Sequence, residues 1–363
     1  MKVLIVTDAW APQVNGVVFT LGQTCRELVR MGHQVEVLQP GLFRSVPCPS
    51  YREIRLSVPR PGAVGRLIRR HAPDALHIAT EGPLGLAARR HARRLGLPFT
   101  TAYHTRFPEY LHARTRLPLS ISYCWLRRFH GAAVRTMVPT AGVRDDLLAH
   151  GFDPAKVVIW SRGVDLEIFK PTAMGAEADG TGPRDPEARG SERRKSEPRD
   201  ATVRHSKRPV FLYAGRVAVE KNLDAFLSLD LPGEKWVIGG GPALESMKKR
   251  YPDARYFGPM PHDELARHYR MADVFVFPSL TDTFGLVLLE AMACGCPVAS
   301  LPARSTRDVL ADSGAGVVSD DLRQACLQAL SIPREIPARY AQGFSWQATT
   351  STFFRHLQPI GRG

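Results

Sequence analysis

Short apolar runs alternate along the chain with longer segments of mixed polarity. Runs of three to five residues in the first half fall at 3–6, 34–38, 75–79, 99–102, 136–138 and 157–160. A second series falls at 210–214, 235–238, 273–277, 297–300 and 316–318. Several runs are continuously apolar, which is typical of strands that helices cover on both faces. Strand–helix–strand repetition implies right-handed crossovers and parallel sheets. The pattern predicts an α/β fold of two doubly wound, Rossmann-like domains facing a central cleft, with ligands at the carboxyl ends of the strands.

Residues 172–208 interrupt this alternation. They carry nine Lys and Arg and seven Asp and Glu, and residues 176–207 contain no aromatic residue. Such a segment buries too little apolar surface to offset the entropy of ordering it. We therefore predict a flexible charged linker or insertion between an N-terminal domain, residues 1–171, and a C-terminal domain, residues 209–345.

The first motif with chemical content is DVFVFPSLTDTFGLVLLEAMACGCPV, residues 273–298. Its first run predicts a strand, and residues 286–293 predict a helix that ends before Gly295. Asp282 lies in the loop and Glu290 two turns into the helix, so both carboxylates can face one cleft and accept hydrogen bonds from sugar hydroxyls. Two plainer interpretations stay open: Asp282 belongs to the helix N-cap region, and Glu290 is a solvated helix residue.

The second motif is LYAGRVAVEKN, residues 212–222. Arg216 and Lys221 follow the predicted strand and Gly215. A forked guanidinium and a compact ammonium are suited to binding a diphosphate. Taken alone, the pair also fits a solvated loop.

The two motifs together resemble those of family 4 retaining glycosyltransferases, which have the GT-B fold. That family's signature is E-x7-E before an apolar helix that commonly ends EAMA-x-G-x-PV. Glu290 matches the second Glu, and Asp282 stands where the family has the first. The resemblance implies that Glu290 binds the nucleotide ribose. It implies a donor-sugar and diphosphate site made of Asp282, Phe284, Gly285 and Leu286.

Residues 212–222 resemble the family's G-R-x4-K pattern. The resemblance implies that Arg216 and Lys221 bind the donor diphosphate and stabilise its departing charge. The segment around Gly258 (YFGPM, residues 256–260) resembles the part that approaches the nucleobase. Residues 346–363 are expected to form a helix that returns toward the N-terminal domain.

The N-terminal half adds two expected cleft residues. Gly16 follows the first strand in the sequence PQVNGV, where backbone can approach a ligand closely. His104 follows the run at 99–102 and resembles the family's cleft histidine near the donor sugar. A plain turn and a structural histidine remain the alternatives. Residues 161–165 read SRGVD where the common family form has NGVD.

The formal charge of +14 lies almost wholly in the N-terminal half. Residues 1–171 carry 24 Lys and Arg against 12 Asp and Glu, whereas residues 209–363 carry 16 of each. Arginines at 114, 116, 127 and 128 are interleaved with Trp125 and aliphatic residues, and further basic clusters lie at 60–70 and 89–94. This combination suits an anionic membrane surface, although a core helix with a solvated basic face stays open. Nucleic acid is not expected, because no recognised motif accompanies the charge.

Composition narrows the class of protein further. The chain of 363 residues is 44% hydrophobic, which excludes disorder of the whole chain. No apolar stretch approaches the roughly 20 residues of a membrane-spanning helix, and the first apolar run is too short for a signal peptide. We therefore expect a cytoplasmic protein on the cytoplasmic face of the membrane. The six cysteines lack metal-binding spacing, so structural zinc is not expected. No catalytic metal is expected either, because Arg216 and Lys221 supply the positive charge, and no cofactor is expected, because a nucleotide sugar would be a substrate.

Together with these observations, the family resemblance implies a retaining, metal-independent hexosyltransferase. Its expected partners are a nucleotide-sugar donor, with UDP as the expected nucleotide, and a membrane lipid acceptor such as diacylglycerol. Residues 157–171 support this, because they resemble the end of the N-terminal domain in sulfoquinovosyl-diacylglycerol and bacterial glycosyl-diacylglycerol synthases. A GDP-mannose-dependent mannosyltransferase acting on a lipid or polysaccharide is the first alternative. A GT-B sugar-nucleotide epimerase and a membrane-surface binding protein with a degenerate site are the others.

Overall fold

The structure is a computed structural model that describes residues 1–13, 15–48, 51–171, 208–310 and 313–361. The predicted linker falls almost entirely outside these ranges. The strands of the N-terminal half are β1 (Lys2–Val6), β2 (Gln34–Leu38), β3 (Ser45–Cys48), β4 (Tyr51–Ser57), β5 (Ala75–Ile78), β6 (Thr100–Ala102), β7 (Arg135–Val138) and β8 (Val157–Ile159). Its helices are α1 (Gly16–Arg30), α2 (Ala63–His71), α3 (Pro83–Arg94), α4 (Phe107–Thr115), α5 (Leu119–His130) and α6 (Ala141–Ala149), with a short 3-10 helix at Pro40–Leu42.

Six of these strands form one parallel sheet in the order β2-β1-β5-β6-β7-β8. Alternate residues of β1 enter two different apolar clusters: Leu4 and Val6 belong to one, and Val3 and Ile5 belong to the other. Both faces of the strand are therefore buried, which explains its continuously apolar sequence. The predicted strands of this half are all present in the sheet.

The antiparallel pair β3–β4 was not predicted. Charged residues at 52, 53 and 55 interrupt the apolar positions of β4, so no continuous apolar run marks it. The pair forms a separate two-stranded sheet and does not contribute to the central one.

The C-terminal half repeats the architecture. Its strands are β9 (Val210–Ala214), β10 (Glu234–Ile238), β11 (Arg255–Gly258), β12 (Val274–Phe277), β13 (Val298–Ser300) and β14 (Gly316–Val318). Its helices are α7 (Leu223–Leu227), α8 (Leu244–Arg250), α9 (His262–Met271), α10 (Leu286–Ala293), α11 (Arg304–Leu310), α12 (Leu322–Ala329), α13 (Glu335–Ala341) and α14 (Trp346–His356), with 3-10 helices at Val219–Lys221 and Gln342–Phe344.

These six strands form a second parallel sheet in the order β11-β10-β9-β12-β13-β14. β9 lies at its centre, with Leu212 in the cluster on one face and Phe211 in the cluster on the other. The two sheets confirm the predicted pair of doubly wound α/β domains. The sequence missed β11 as a strand because its four residues, RYFG, are only partly buried at the sheet edge.

The last helix crosses from the second half to the first. α14 packs against α1, and Phe353 is fully buried beside Val3 and Ile5. A second connection joins α6 to α11, where the Asp308 carboxylate accepts a hydrogen bond of 2.8 Å from the Gly142 amide. The two halves are therefore in direct contact at more than one place.

None of the helices in the described ranges combines the length and the apolar character that crossing a bilayer would need.

Candidate active site

The loops that follow β9 and β12 are joined by side chains from both sequence motifs. These strands are neighbours, so their carboxyl ends lie at the same edge of the sheet. The Lys221 ammonium contacts Asp282 Oδ1 at 2.5 Å. The Thr281 hydroxyl also donates to the Glu220 carbonyl at 3.2 Å. The structure thus brings together the cation and the carboxylate that the sequence placed 61 positions apart.

Asp282 does not serve as a helix cap. The N-cap of α10 is Gly285, and no side chain caps that helix. The side chains of Asp282 and Lys221 are mostly buried. Asp282 Oδ2 has no hydrogen-bond partner among the described residues. The plainer interpretation of Asp282 is therefore wrong, and the carboxylate keeps an acceptor available for a ligand.

Arg216 lies directly after Gly215 at the end of β9. The Tyr213 hydroxyl donates to the Arg216 carbonyl at 2.8 Å and holds this turn. A Cβ at Gly239 would lie 2.0 Å from the Gly215 carbonyl oxygen, so only glycine permits the loops after β9 and β10 to approach this closely. The Gly239 amide donates to the Gly258 carbonyl at 2.8 Å. The predicted nucleobase-side residue Gly258 therefore lies beside the loop after β10, and that loop in turn lies against the turn at Gly215.

The start of α10 presents backbone amides rather than a capping side chain. Gly285 has φ +81°, a conformation that other residues rarely adopt, and it turns the chain from the loop into the helix at Leu286. Phe284 is buried in the core of this half and anchors the turn. The first amides of a helix lack partners within the helix, and the helix dipole favours an anion there. The geometry can therefore bind one end of a diphosphate.

Glu290 is 7% exposed. The Tyr269 hydroxyl, from α9, donates to Glu290 Oε2 at 3.3 Å. Burial raises the pKa of Glu290 from 4.5 to about 7, and the hydrogen bond from Tyr269 acts in the opposite direction. The interpretation of Glu290 as a solvated helix residue is wrong. Tyr269 was missed from the sequence, because nothing in the pattern of α9 places it against α10.

Gly16 faces the C-terminal half across the cleft. It begins α1, and the side chain of Asn15 caps that helix by accepting from the amides of its first turn. A Cβ at Gly16 would lie 3.8 Å from Leu286 Cδ1, so the starts of α1 and α10 are neighbours. The structure thus brings two predicted donor-site residues from different halves together.

His104 follows β6 and also contacts the facing half. The Thr283 hydroxyl donates to the His104 carbonyl at 2.8 Å. Arg162 Nη2 lies 3.3 Å from His104 Nδ1, and His104 Nε2 is buried without a partner among the described residues. Burial first, and then the charge of Arg162, holds the pKa of His104 well below its usual value. The sequence did not predict that Arg162 lies beside His104, and its one signal was an arginine in place of the family's asparagine.

The predicted acceptor-side residues lie on α4, directly after α4, and on α5. Arg127, Arg128 and Trp125 are exposed on α5, and Arg116 is exposed just after α4. The Trp125 ring packs 6.4 Å from Phe107 and 5.9 Å from Phe129, measured between ring centroids. The side chain of Arg114 lies outside the described residues. The opposite face of α5 packs into the domain, so the basic and apolar side chains occupy its outer face.

Two family models match the chain, and together they span most of it. The model described as Glycosyltransferase Family 4 matches residues 14–168. The model described as Glycosyl transferases group 1 matches residues 194–330.

Several individual relatives are named as sugar-transferring enzymes. The sulfoquinovosyl transferase SQD2 of Arabidopsis thaliana is 32% identical over 75% of this chain, and the match covers 51% of that protein, about half its length. A GDP-mannose-dependent alpha-mannosyltransferase of Mycolicibacterium smegmatis is 28% identical over 95% of this chain and 91% of its own. An alpha-monoglucosyldiacylglycerol synthase of Streptococcus pneumoniae is 26% identical over 91% of this chain and 78% of its own.

The fold has close counterparts among solved structures. A sucrose-phosphate synthase from Thermosynechococcus elongatus superimposes with a TM-score of 0.72 at 16% identity, covering 98% of this chain and 97% of that one. Two parallel-sheet domains, motif loops meeting at one cleft, and matches to both family models all agree. The chain belongs to family 4 of the glycosyltransferases and has the GT-B fold, and it is a glycosyltransferase.

Proposed function

We propose that this glycosyltransferase moves a hexosyl group from a nucleotide sugar, with UDP as the expected nucleotide, to a lipid acceptor at an anionic membrane surface. The observation that carries the proposal is a division of charge between the halves. The C-terminal half is neutral overall and gathers a few placed charges around one cleft, whereas the N-terminal half carries the excess positive charge on outer helices.

The donor would bind along the carboxyl edge of the second sheet. Glu290 would accept hydrogen bonds from the ribose hydroxyls, since a buried carboxylate with a spare oxygen suits a diol. Arg216, Lys221 and the first amides of α10 would bind the diphosphate. Lys221 is engaged by Asp282 at 2.5 Å in the structure, so we expect the phosphate to take over the ammonium and release Asp282 toward the sugar.

Departure of the nucleotide leaves negative charge on the diphosphate. Arg216 and Lys221 would stabilise that charge in a site from which water is excluded, as preorganised cations do elsewhere. We propose transfer with retention, in which the leaving phosphate deprotonates the acceptor hydroxyl on the same face of the sugar. This route uses neither a protein nucleophile nor a metal ion.

On the proposed acceptor side, the basic residues of α3 adjoin the end of α5. Arg89, on α3, donates to the carbonyl oxygens of Arg128 and Phe129 at the end of α5, so the arginines of these two helices are neighbours. Burial, together with the charges of Arg93 and Arg128, lowers the pKa of Arg89. Leu86 and the arginines of α3 line a shallow depression. Positive charge concentrated in this way favours an anionic partner.

Apolar side chains project from the same surface. Phe107, Ile121 and Trp125 are 45%, 54% and 38% exposed, on α4 and α5. Exposed aromatic and aliphatic groups among arginines suit partial entry into a lipid headgroup layer. We call the exposed residues Phe107, Arg116, Ile121, Trp125, Arg127 and Arg128 the membrane-facing surface. The names of the sulfoquinovosyl and glucosyldiacylglycerol relatives support a glycolipid product.

A GDP-mannose-dependent activity is the second candidate. It is favoured by the mannosyltransferase match, which spans more of this chain than the sulfoquinovosyl transferase match does. The two candidates differ in the nucleotide and the hexose, so a donor screen separates them.

The deciding experiment combines purified protein, liposomes containing diacylglycerol and anionic lipid, and a panel of UDP- and GDP-sugars. Mass spectrometry of the lipids identifies the product. We expect a hexosyl lipid from a UDP-sugar. Turnover with GDP-mannose alone would refute the donor assignment, and turnover only on soluble acceptors would refute the lipid assignment. Conversion of the donor without any acceptor would indicate an epimerase instead.

Vesicle binding tests the membrane-facing surface separately from catalysis. Replacing Arg116, Arg127 and Arg128 by Gln should weaken binding to anionic vesicles, and added salt should weaken wild-type binding because it screens surface charge. The matched control replaces three exposed arginines of the neutral half, at 250, 267 and 323, and should leave binding intact. Equal losses in both variants, or salt-insensitive binding, would contradict the electrostatic part. Binding to vesicles with no donor binding in calorimetry would indicate a membrane protein with a degenerate site.

A further inference from the structure

Arg162 is a buried cation without a carboxylate partner among the described residues. It is 4% exposed, just after β8. Its Nη1 donates to the Trp160 carbonyl at 2.6 Å and lies 3.3 Å from the Ser161 carbonyl. The guanidinium stacks over the Trp160 ring, with Cζ 4.5 Å from the centroid. Burial lowers the pKa of Arg162 to about 9, and no described carboxylate opposes that shift. Burying a charge without a partner of opposite charge is costly, so we looked for a function that explains the position of Arg162.

The second terminal nitrogen of the Arg162 guanidinium contacts His104. Arg162 Nη2 lies 3.3 Å from His104 Nδ1. A guanidinium has donors and no acceptor, so Nδ1 must be the acceptor of this hydrogen bond. The ring is then neutral and carries its proton on Nε2. His104 Nε2 is buried and has no hydrogen-bond partner among the described residues.

We propose that Arg162 is a positioning residue that holds His104 as the neutral Nε2–H tautomer, so that Nε2–H remains a free donor for a hydroxyl oxygen of the donor sugar. This inference rests on the proposed function for the identity of the ligand. The effect of Arg162 on the imidazole does not depend on it.

Two histidines near His104 act in the same direction as Arg162. His77, from β5, and His130, at the end of α5, add to the effect of Arg162 in keeping the ring neutral, and burial is the largest cause. Glu81 bonds to His130 Nε2 at 3.1 Å. From the facing half, Thr283 donates to the backbone carbonyl of His104 and leaves the ring nitrogens to Arg162 and the cleft. Protonating the ring would place two cations in contact, so His104 acts as a hydrogen-bond donor and not as an acid.

Nitrogen-15 NMR of histidine-labelled full-length protein reads the tautomer directly, with His104→Gln identifying the signals. We expect wild-type Nδ1 to be unprotonated and Nε2 protonated throughout pH 5.5 to 8, with or without donor. In Arg162→Met the two tautomers should mix, and the ring should begin to titrate at higher pH than in wild type. Arg162→Lys should restore the wild-type spectrum, because an ammonium is also a donor without an acceptor.

A matched control is Arg334→Met. The Arg334 guanidinium also donates to backbone carbonyls, those of Tyr269, Arg270 and Ala272, but it lies in the other half. Its loss should leave the His104 signals unchanged. In transfer assays, Arg162→Met should lower kcat on the order of tenfold, which is about 1.4 kcal/mol. KM for the donor should change far less, and Arg162→Lys should recover most of the rate.

The outcomes separate this inference from the proposed function. A wild-type ring protonated at Nδ1 would overturn the inference, whatever happens to Arg162→Met. So would an unchanged tautomer in a folded Arg162→Met protein that has lost activity, because Arg162 would then be merely structural. If wild-type protein transfers no sugar from any donor, the proposed function fails, while the NMR result still decides whether Arg162 sets the tautomer.

Discussion

Replacing Glu290 by Gln should stabilise the ligand-free protein while it impairs nucleotide binding. Glu290 is almost fully buried, and burial raises its pKa from 4.5 to about 7. The folded protein therefore holds the proton more tightly than the unfolded chain does. Stability is lost as the pH rises from about 4.5 to about 7 and is level above that range. Glutamine resembles the protonated form and does not ionise, so the variant escapes this loss.

The size of the effect follows from the shift in pKa. A displacement of this size corresponds to about 3 kcal/mol of destabilisation at pH 8, and to about 1 kcal/mol at pH 5.5. The advantage of Glu290→Gln over wild type should therefore grow by about 2 kcal/mol between these pH values. For a domain of this size, that is a rise of roughly 4–8 °C in the difference between the two melting temperatures.

Differential scanning calorimetry at pH 5.5 and pH 8 measures this difference. The matched control is Glu245→Gln, in the same half, whose side chain is 77% exposed and whose charge is therefore well solvated. It should melt with wild type at both pH values. The explanation would be refuted if Glu290→Gln were less stable than wild type at pH 8. It would also be refuted if the melting temperatures of the two proteins differed by the same amount at both pH values.

Although Glu290→Gln should stabilise the fold, it should weaken nucleotide binding. Hydrogen bonds to a charged acceptor contribute about 1.5–3 kcal/mol, so losing the carboxylate should weaken binding by at least tenfold. Titration calorimetry with UDP-glucose and GDP-mannose in parallel checks this, since the diphosphate of both donors stays ionised across the range. Wild-type affinity should also rise with pH through about 7, as Glu290 loses its proton. Unchanged affinity in Glu290→Gln would remove Glu290 from the donor site.

Three further substitutions test neighbouring parts of the site. Lys221→Met should lower kcat by roughly 10²–10³, because it removes a cation from the leaving group and strands Asp282; a variant that keeps a tenth of the wild-type rate would argue against this role. Thr283→Val removes the hydrogen bond to the His104 carbonyl between the two halves and should cost about 1 kcal/mol in kcat/KM, whereas Thr283→Ser should be near wild type in the same assay. Gly285→Ala places a Cβ 3.0 Å from Phe277 Cζ at φ +81° and should lower the free energy of unfolding in urea by at least 1 kcal/mol; an unchanged midpoint would show that the turn relaxes.

The two sequence motifs were predictable because each is a local arrangement. Gly285 can adopt a positive φ, and the apolar run after it predicts α10 with the bounds that the structure has, Leu286–Ala293. Glu290 stands within that apolar run, and the structure buries it together with its neighbours. By contrast, no local pattern marked the contact of Lys221 with Asp282. That contact depends on β9 and β12 being adjacent in the sheet, although β10 and β11 separate them in sequence.

The sequence by itself determined the α/β class, the positions along the chain of the central strands other than β11, the division of charge between the halves and the motifs that place the chain in its family. These follow from the periodicity of apolar residues and from short segments whose meaning does not depend on distant neighbours. The tertiary structure alone decided that Arg162 is buried beside His104, with no carboxylate partner among the described residues. It also decided that Tyr269 lies against Glu290. It also placed Thr283 on the facing loop. The physical reason is that pKa, burial and tautomer depend on what surrounds a side chain, and those surroundings come from parts of the chain that only folding brings together.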